Sequence, residues 1–258
     1  MKLFRKKKKR KWVFSYIRKK RKSSALHFTL IDPDKQKPEE AANLALKAAD
    51  AGTDAIMIGG SQAGQAMYVN ETIAEIKEKI DLPVILFPSS HSGISQYADA
   101  IFFMSLLNSR SPNYLVDEQV KGAVLVKNYD IEPLPMGYLI VESGNMTSVA
   151  WAGDVKPLPR EKPDFAVAYS LTAKYFGMKF VYLEAGSGAD NPVPNEMIAA
   201  TKKAIQGNGT FLIVGGGIRS EKIARDKVKA GADVVVTGTI GEKDPDMLEK
   251  IIKAVKKT

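Results

Sequence analysis

The sequence contains no cysteine, which excludes disulfide frameworks, cysteine-based zinc sites, iron–sulfur clusters and thiol nucleophiles. Histidine is almost absent: His27 and His91 are the two present, and they leave little for a histidine-ligated metal centre. No run of 18 or more apolar residues occurs, so no segment reads as a bilayer-spanning helix. The basic start lacks the apolar stretch that a secretory signal requires, and these absences together predict a cytosolic protein. Acidic residues are missing from positions 1–22, which hold 13 Lys or Arg. The formal net charge of +9 is therefore not a property of the whole chain. Outside that segment 25 basic residues face 29 acidic ones, a net of −4. What is present is 258 residues with 45% apolar composition, enough for a self-supporting core.

From Leu26 onward, short β-branched or apolar runs alternate with longer amphipathic segments. The runs are 26-LHFTLI, 54-DAIMI, 83-PVILF, 100-AIFFM, 136-MGYLIV, 180-FVYLEA, 211-FLIVG and 233-DVVVTG. Each is bounded by Gly, Pro, Asp or Ser, the pattern of buried strands. Between them lie helical patterns such as 38-PEEAANLALKAADAG, opened by Pro38 and closed at Gly52, and 221-EKIARDKVKAGAD. Eight strands in βα alternation predict a (β/α)₈ TIM barrel. Between Phe87 and Asp99 the chain is too short, and too rich in Ser, Pro and Gly, for a crossover helix. The barrel is thus expected in modified form, its third helix missing or replaced by an extended segment. No linker divides the body, so residues 1–24 read as a basic arm and 25–258 as one domain.

Chemistry in such barrels sits at the strand ends. The first strand ends in Asp32-Pro33-Asp34-Lys35 and the second in Gly59-Gly60-Ser61. One carboxylate and one hydroxyl on adjacent strands suit magnesium, which takes oxygen ligands, waters and substrate phosphates; Asp32 and Ser61 are its candidate ligands. The sixth reads Tyr182-Leu183-Glu184-Ala185-Gly186-Ser187-Gly188. Tyr182 and Glu184 share a face, with Leu183 opposite, so Glu184 is a base beside a flexible, anion-cradling loop. The seventh ends in Gly215-Gly216-Gly217 and the eighth in Thr237-Gly238-Thr239. Glycine-rich ends of strands seven and eight form the recurrent phosphate cradle of this fold. A phosphate monoester on strands six to eight, a cation at strands one and two and a base between suit a phosphorylated alcohol attacking a polyanionic leaving group.

The ordered motifs HFTLIDPDK, IMIGGSQ, PVILFPSS, YLEAGSG, VGGGIRS and VVVTGT, from about residue 25 to the C-terminus, resemble geranylgeranylglyceryl phosphate synthases. The resemblance implies a modified (β/α)₈ barrel and Mg²⁺-dependent transfer of a geranylgeranyl group from its diphosphate to the 3-hydroxyl of sn-glycerol 1-phosphate, the first step of archaeal ether-lipid synthesis. Glycerol phosphate would lie on Tyr182, Leu183, Glu184, Ala185, Gly186, Ser187 and Gly188, with Gly215, Gly216 and Gly217, then Thr237, Gly238 and Thr239. Glu184 matches the proposed base, and Asp32 and Ser61 the magnesium positions. One branch of the family carries Lys two positions before the motif Asp; here that position is Leu30, so Lys35 or Arg219 would have to supply the charge. The resemblance also implies a homo-oligomer, dimer or hexamer, with Trp151 a conceivable interface aromatic.

The prenyl tail needs an apolar groove, for which Ala100 to Leu107, Tyr138 and Tyr169 are the candidates. A longer donor, as in heptaprenylglyceryl phosphate synthases, suits the same site. Two other readings keep the barrel: a sugar-phosphate isomerase, short of acid–base partners with two histidines, and a catalytically silent phosphate-binding scaffold. In residues 1–22, basic clusters flank the apolar centre Trp12-Val13-Phe14, as in a solvated tail or a membrane-surface anchor. No nucleic-acid motif accompanies the charge, so no nucleic acid is expected.

Overall fold

In the computed structural model, which describes residues 12–59, 67–144, 146–207 and 209–258, eight parallel strands close into a barrel in sequence order, β8 pairing with β1. The strands are β1 Leu26–Ile31, β2 Ala55–Ile58, β3 Val84–Leu86, β4 Ala100–Leu106, β5 Glu132–Ile140, β6 Phe180–Glu184, β7 Phe211–Gly215 and β8 Val234–Thr237. The helices are α1 Val13–Lys20, α2 Pro38–Ala51, α3 Met67–Lys79, α4 Glu118–Asn128, α5 Ser148–Ala152, α6 Pro163–Tyr175, α7 Asn195–Ile205, α8 Glu221–Lys229, α9 Thr239–Lys243 and α10 Pro245–Lys256. The predicted strands and barrel are all present. So is the expected irregularity: a single 3₁₀ turn, His91–Gly93, stands where a helix would join β3 to β4.

The strands are apolar on both faces because both are covered. Leu26, Phe28, Met57, Phe102, Met136, Phe180 and Ile213 fill the barrel interior. Alternate residues such as Ile31, Ile56 and Ile58 pack outward under α2 and α3. The helices form where propensity and capping agree. Helix α2 has Pro38 in its first turn, Glu39 and Glu40 beside it, and ends at Gly52 in the left-handed region with φ 101°. Helix α8 is capped by the Ser220 hydroxyl, which accepts from Ile223 N–H at 3.3 Å.

Where the strands begin, one electrostatic device recurs three times. An aspartate just before β2, β4 or β8 accepts a backbone N–H from the strand before it. His27 N–H reaches Asp54 at 3.0 Å, Val84 N–H reaches Asp99 at 2.9 Å and Leu212 N–H reaches Asp233 at 2.8 Å. Each carboxylate is matched by a helix lysine: Lys256 at 2.8 Å, Lys77 at 2.6 Å and Lys202 at 2.5 Å.

The same end of the barrel corrects the boundary expected for the basic arm. Residues 1–11 lie outside the described residues, but Val13–Lys20 is not a free tail. Helix α1 seats Val13 and Ile17, both fully buried, in the mouth where the strands start. The Phe14 ring meets Phe180 and Phe211 edge-on at 5.8 and 5.9 Å. The Glu132 carboxylate accepts from Val13 N–H at 2.6 Å and Phe14 N–H at 3.2 Å, an anion at a helix N-terminus. Arg21 pairs with Asp233 at 2.9 Å. Of the apolar centre that suggested a membrane-facing element, Val13 and Phe14 are spent on the barrel, while Trp12 stays exposed with Arg18, Lys19 and Lys20. Ile17→Ala is therefore expected to lower stability by about 2–5 kcal/mol in denaturant unfolding. Its specific activity should stay near wild type, since every contact of α1 named above lies at the start of a strand.

Candidate active site

At the opposite end, where the strands stop, a cavity of about 610 Å³ runs across the barrel mouth. One branch is lined by the ends of β6, β7 and β8, the other by the segment after β3, by β4 and by α4. Asp32 and Lys35 at the end of β1 stand in its wall.

Glu184 terminates β6 and is buried. Its Oε1 accepts Gly186 N–H at 2.6 Å, and the Tyr182 hydroxyl, on the same face, donates to its carboxylate. Burial raises the Glu184 carboxyl above its ordinary range, and the hydrogen bonds from Tyr182 and Gly186 offset part of the rise. Burial beside the Glu184 charge pushes both Tyr182 and Tyr138 far up, so both phenols stay protonated. Tyr182 is held by rings, with Tyr138 at 5.2 Å and Phe87 at 5.7 Å between centroids.

Against Glu184 lies the glycine run. Gly216 has φ 81°, and a Cβ there would fall 2.4 Å from Glu184 Oε1. Gly217 has φ 69°, and its Cβ would fall 2.9 Å from Ala189 O. No other residue type fits either position. Ser187 and Thr239 bring the β6 and β8 loops together, their hydroxyls 2.9 Å apart. The first N–H groups of α9 have no intrahelical acceptor by helix geometry, and Thr239 and Ile240 face the cavity.

Of the residues predicted for glycerol phosphate, Tyr182, Glu184, Ser187, Gly188, Gly216, Gly217, Thr237, Gly238 and Thr239 line the cavity. Leu183 and Ala185 do not; they are buried in the outer layer against α6 and α7. Gly186 acts through its N–H to Glu184, and Gly215 O accepts Ala185 N–H at 3.1 Å. The Thr237 hydroxyl turns away, 2.9 Å from His27 Nε2, so Thr237 meets the cavity otherwise than through that hydroxyl. His27 is buried and its pKa is pulled down to about 3 by burial and by Lys256, so it is a neutral core residue. His91 pairs with Glu118 at 2.8 Å, on the far branch.

Asp32 Oδ1 accepts Asp34 N–H at 3.1 Å and Oδ2 lies 3.3 Å from Lys35 Nζ. Burial and the Asp32 charge raise the Asp34 carboxyl. Ser61 lies outside the described residues. Leu30 packs beneath Gly238, and the two cations expected in its stead are both engaged. Lys35 lies between Asp32 and Glu242, 3.5 Å from the latter, while Arg219 holds the carbonyls of Gly188 and Ala189 at 2.7 and 2.8 Å. Both line the cavity.

The apolar branch is lined by Phe87, Ile101, Phe102, Phe103, Met104, Leu106, Tyr114 and Tyr138. This takes in the centre of the predicted 100–107 stretch. Tyr169 belongs instead to the outer layer. The sequence reading missed Tyr114, Ile94 and Gln119, which the turn before α4, the short β3–β4 connection and the first turn of α4 bring to the wall.

The PcrB family profile matches residues 16–258. The geranylgeranylglyceryl phosphate synthase of Thermococcus kodakarensis is 55% identical over 231 residues, 90% of each chain. That of Methanosarcina acetivorans is 54% identical over 230 residues, 89% of this chain and 92% of the relative. A crystal structure of (S)-3-O-geranylgeranylglyceryl phosphate synthase from Thermoplasma acidophilum, in complex with substrate sn-glycerol-1-phosphate, superposes with a TM-score of 0.90 at 41% identity. The superposition covers 95% of this chain and 99% of that one.

The raised pKa of Glu184 has a stability consequence. Its native pKa lies above the unfolded value, so its favourable contribution is complete below the unfolded carboxylate pKa and is lost as pH rises through the native one. At neutral pH its buried charge is a cost. Glu184→Gln should melt at the same temperature as wild type or higher at pH 7, with a smaller advantage near pH 5. Calorimetry showing an equal loss of stability at both pH values would contradict the assignment.

Proposed function

This chain belongs to the PcrB family, and we propose that it acts there as a geranylgeranylglyceryl phosphate synthase. The reaction joins the 3-hydroxyl of sn-glycerol 1-phosphate to C1 of geranylgeranyl diphosphate, giving 3-O-geranylgeranyl-sn-glyceryl 1-phosphate and diphosphate. The observation that carries the reading is the continuity of one cavity from a glycine cradle, past a buried carboxylate, into an aromatic branch.

The phosphate of glycerol 1-phosphate takes the polar branch, against Ser187, Gly188, Gly216, Gly217, Gly238 and Thr239. Its free hydroxyl then faces Glu184. As the C1–O bond to diphosphate breaks and the C1–O3 bond forms, the hydroxyl proton passes to Glu184. The raised pKa suits that transfer, because the proton acceptor is a stronger base than an exposed carboxylate. Tyr182 and Gly186 keep the carboxylate aimed while its charge changes. The prenyl chain lies along Phe87, Phe102, Phe103 and Met104, which keep water from the allylic carbon. Lys35, between Asp32 and Glu242, and Arg219, on the carbonyls of Gly188 and Ala189, are the cations at the mouth in place of the lysine absent at Leu30.

Among the described residues no group of three or more His, Cys, Asp or Glu could hold a metal. One buried carboxylate beside a second is nonetheless a donor set that suits magnesium, which completes its shell with water and substrate phosphate oxygens. Asp32 would hold it, with Ser61 as the expected second ligand. When bound, Mg²⁺ neutralises charge on the departing diphosphate.

The exposed Trp151, at 78% relative accessibility, supports assembly into a homo-oligomer, dimer or hexamer. No helix among the described residues is long and apolar enough to cross a membrane. Residues 1–11 and the exposed basic face of α1 support peripheral contact with anionic lipid, about 1 kcal/mol per Lys or Arg near the surface. Because α1 is part of the barrel, the appropriate truncation removes residues 1–11 only. It should weaken sedimentation with anionic vesicles at low salt and spare catalysis in detergent; unchanged vesicle binding would remove the anchor.

The reaction is tested with radiolabelled glycerol 1-phosphate against C15, C20 and C35 diphosphates. Preferential transfer from the C20 donor is expected, and a C35 preference would reassign the donor. Glu184→Gln should lower turnover by about 10²–10⁴-fold with glycerol-phosphate binding retained. Near-normal turnover would remove Glu184 from the base role.

A further inference from the structure

The loop that leaves β6 is held from behind by cations. Arg219 Nη2 donates to Gly188 O at 2.7 Å and Ala189 O at 2.8 Å. Arg160 donates to Asn191 O at 3.3 Å and Pro192 O at 3.0 Å, and also to Glu142 O after β5 at 3.0 Å. Lys227 Nζ, from α8, donates to Val193 O and to Asn195 Oδ1, each at 2.7 Å. Five of the six carbonyls of residues 188–193 thus accept from a charged side chain. Hydrogen bonds from charged donors are stronger than neutral ones. Lys227 is buried, and burial pulls its ammonium down to about 8. A cation is retained in such a place only where acceptors compensate its lost hydration.

Neither Arg160 nor Lys227 lines the cavity. We propose that both are positioning residues for the glycerol-phosphate site, fixing the β6–α7 loop on which the cradle and the base depend; the inference rests on the reading of that site given above. The route is short. A Cβ on Gly217 would meet Ala189 O at 2.9 Å and Pro192 N at 3.0 Å, so the held loop is the surface against which the phosphate glycine packs. Ala189 N–H donates to Gly186 O at 3.2 Å, and Gly186 N–H donates to Glu184 Oε1 at 2.6 Å. Releasing the carbonyls of residues 191–193 frees Pro192, part of the backing of Gly217, in the loop whose other end carries Ala189 and the Gly186 donor that aims the base. The prenyl branch, on the segment after β3, on β4 and on α4, shares none of these contacts.

The test compares wild type, Arg160→Met, Arg160→Lys, Lys227→Met and Lys227→Arg. Glycerol 1-phosphate binding is followed by calorimetry and both substrates by steady-state kinetics. The Met variants should weaken glycerol 1-phosphate binding, in Kd and KM, by about tenfold or more. The KM for the prenyl diphosphate should stay within about twofold. Lys227→Arg should recover most of the loss, because its charge and donors return; if Lys227→Met does not fold, the Arg160 pair decides. Variants that bind glycerol 1-phosphate as wild type does, whatever their melting temperatures, would overturn the proposal. So would equal rises in both KM values. Wild-type protein that fails to bind glycerol 1-phosphate would instead overturn the parent reading, and this one with it.

Discussion

The geometry of the site depends on one buried carboxylate and the two donors that hold it. Desolvation works against the charge of Glu184, while Tyr182 and the N–H of Gly186 work for it. The outcome is a base stronger than usual whose direction is nonetheless fixed. The constraint spreads outward from there. Gly216 has no side chain because a Cβ would strike that carboxylate. Tyr182 is packed by Tyr138 and Phe87, so the rings that begin the apolar branch also set the hydroxyl that steers the base. The polar and apolar halves of the cavity are therefore built on a common residue pair.

Stability is concentrated at the other end. The aspartates before β2, β4 and β8 each accept a strand N–H and a helix lysine, which ties the helix layer to the strand starts. Helix α1 closes that mouth with apolar side chains and takes its N-terminal charge from Glu132. This leaves the strand ends free to carry glycines and a strained charge, which lower stability where chemistry needs them.

Much of this is legible in the sequence, for physical reasons. Parallel strands covered on both faces must be apolar runs ended by Gly, Pro or Asp, so β1, β6 and β7 begin where their runs begin. Strand β5 starts at Glu132, four residues before its apolar run, because Pro133 and Pro135 read as breakers yet are tolerated in the ladder. The missing helix between β3 and β4 was a matter of chain length and of Ser, Pro and Gly content. Helix α1 was hidden by charge: thirteen basic residues drew attention to lipid, whereas Val13 and Ile17, one helical turn apart, were the signal of a buried face. At the site, alternation along β6 placed Tyr182 and Glu184 together and set Leu183 apart. It could not show that the Thr237 hydroxyl turns to His27, because that depends on a neighbouring strand. Arg160 and Lys227 carried no sequence signature, since bonds to backbone carbonyls constrain the partner's shape and not its identity.

The central claim, that one cavity sets the free hydroxyl of a glycerol phosphate against a buried, raised-pKa carboxylate, is tested most directly by a crystal structure with sn-glycerol 1-phosphate bound. The account predicts phosphate density against Gly217 and the Gly238–Thr239 turn, with the 3-hydroxyl oxygen about 2.6–3.2 Å from Glu184. Phosphate bound away from those loops, or a hydroxyl directed toward solvent with Glu184 unengaged, would contradict it.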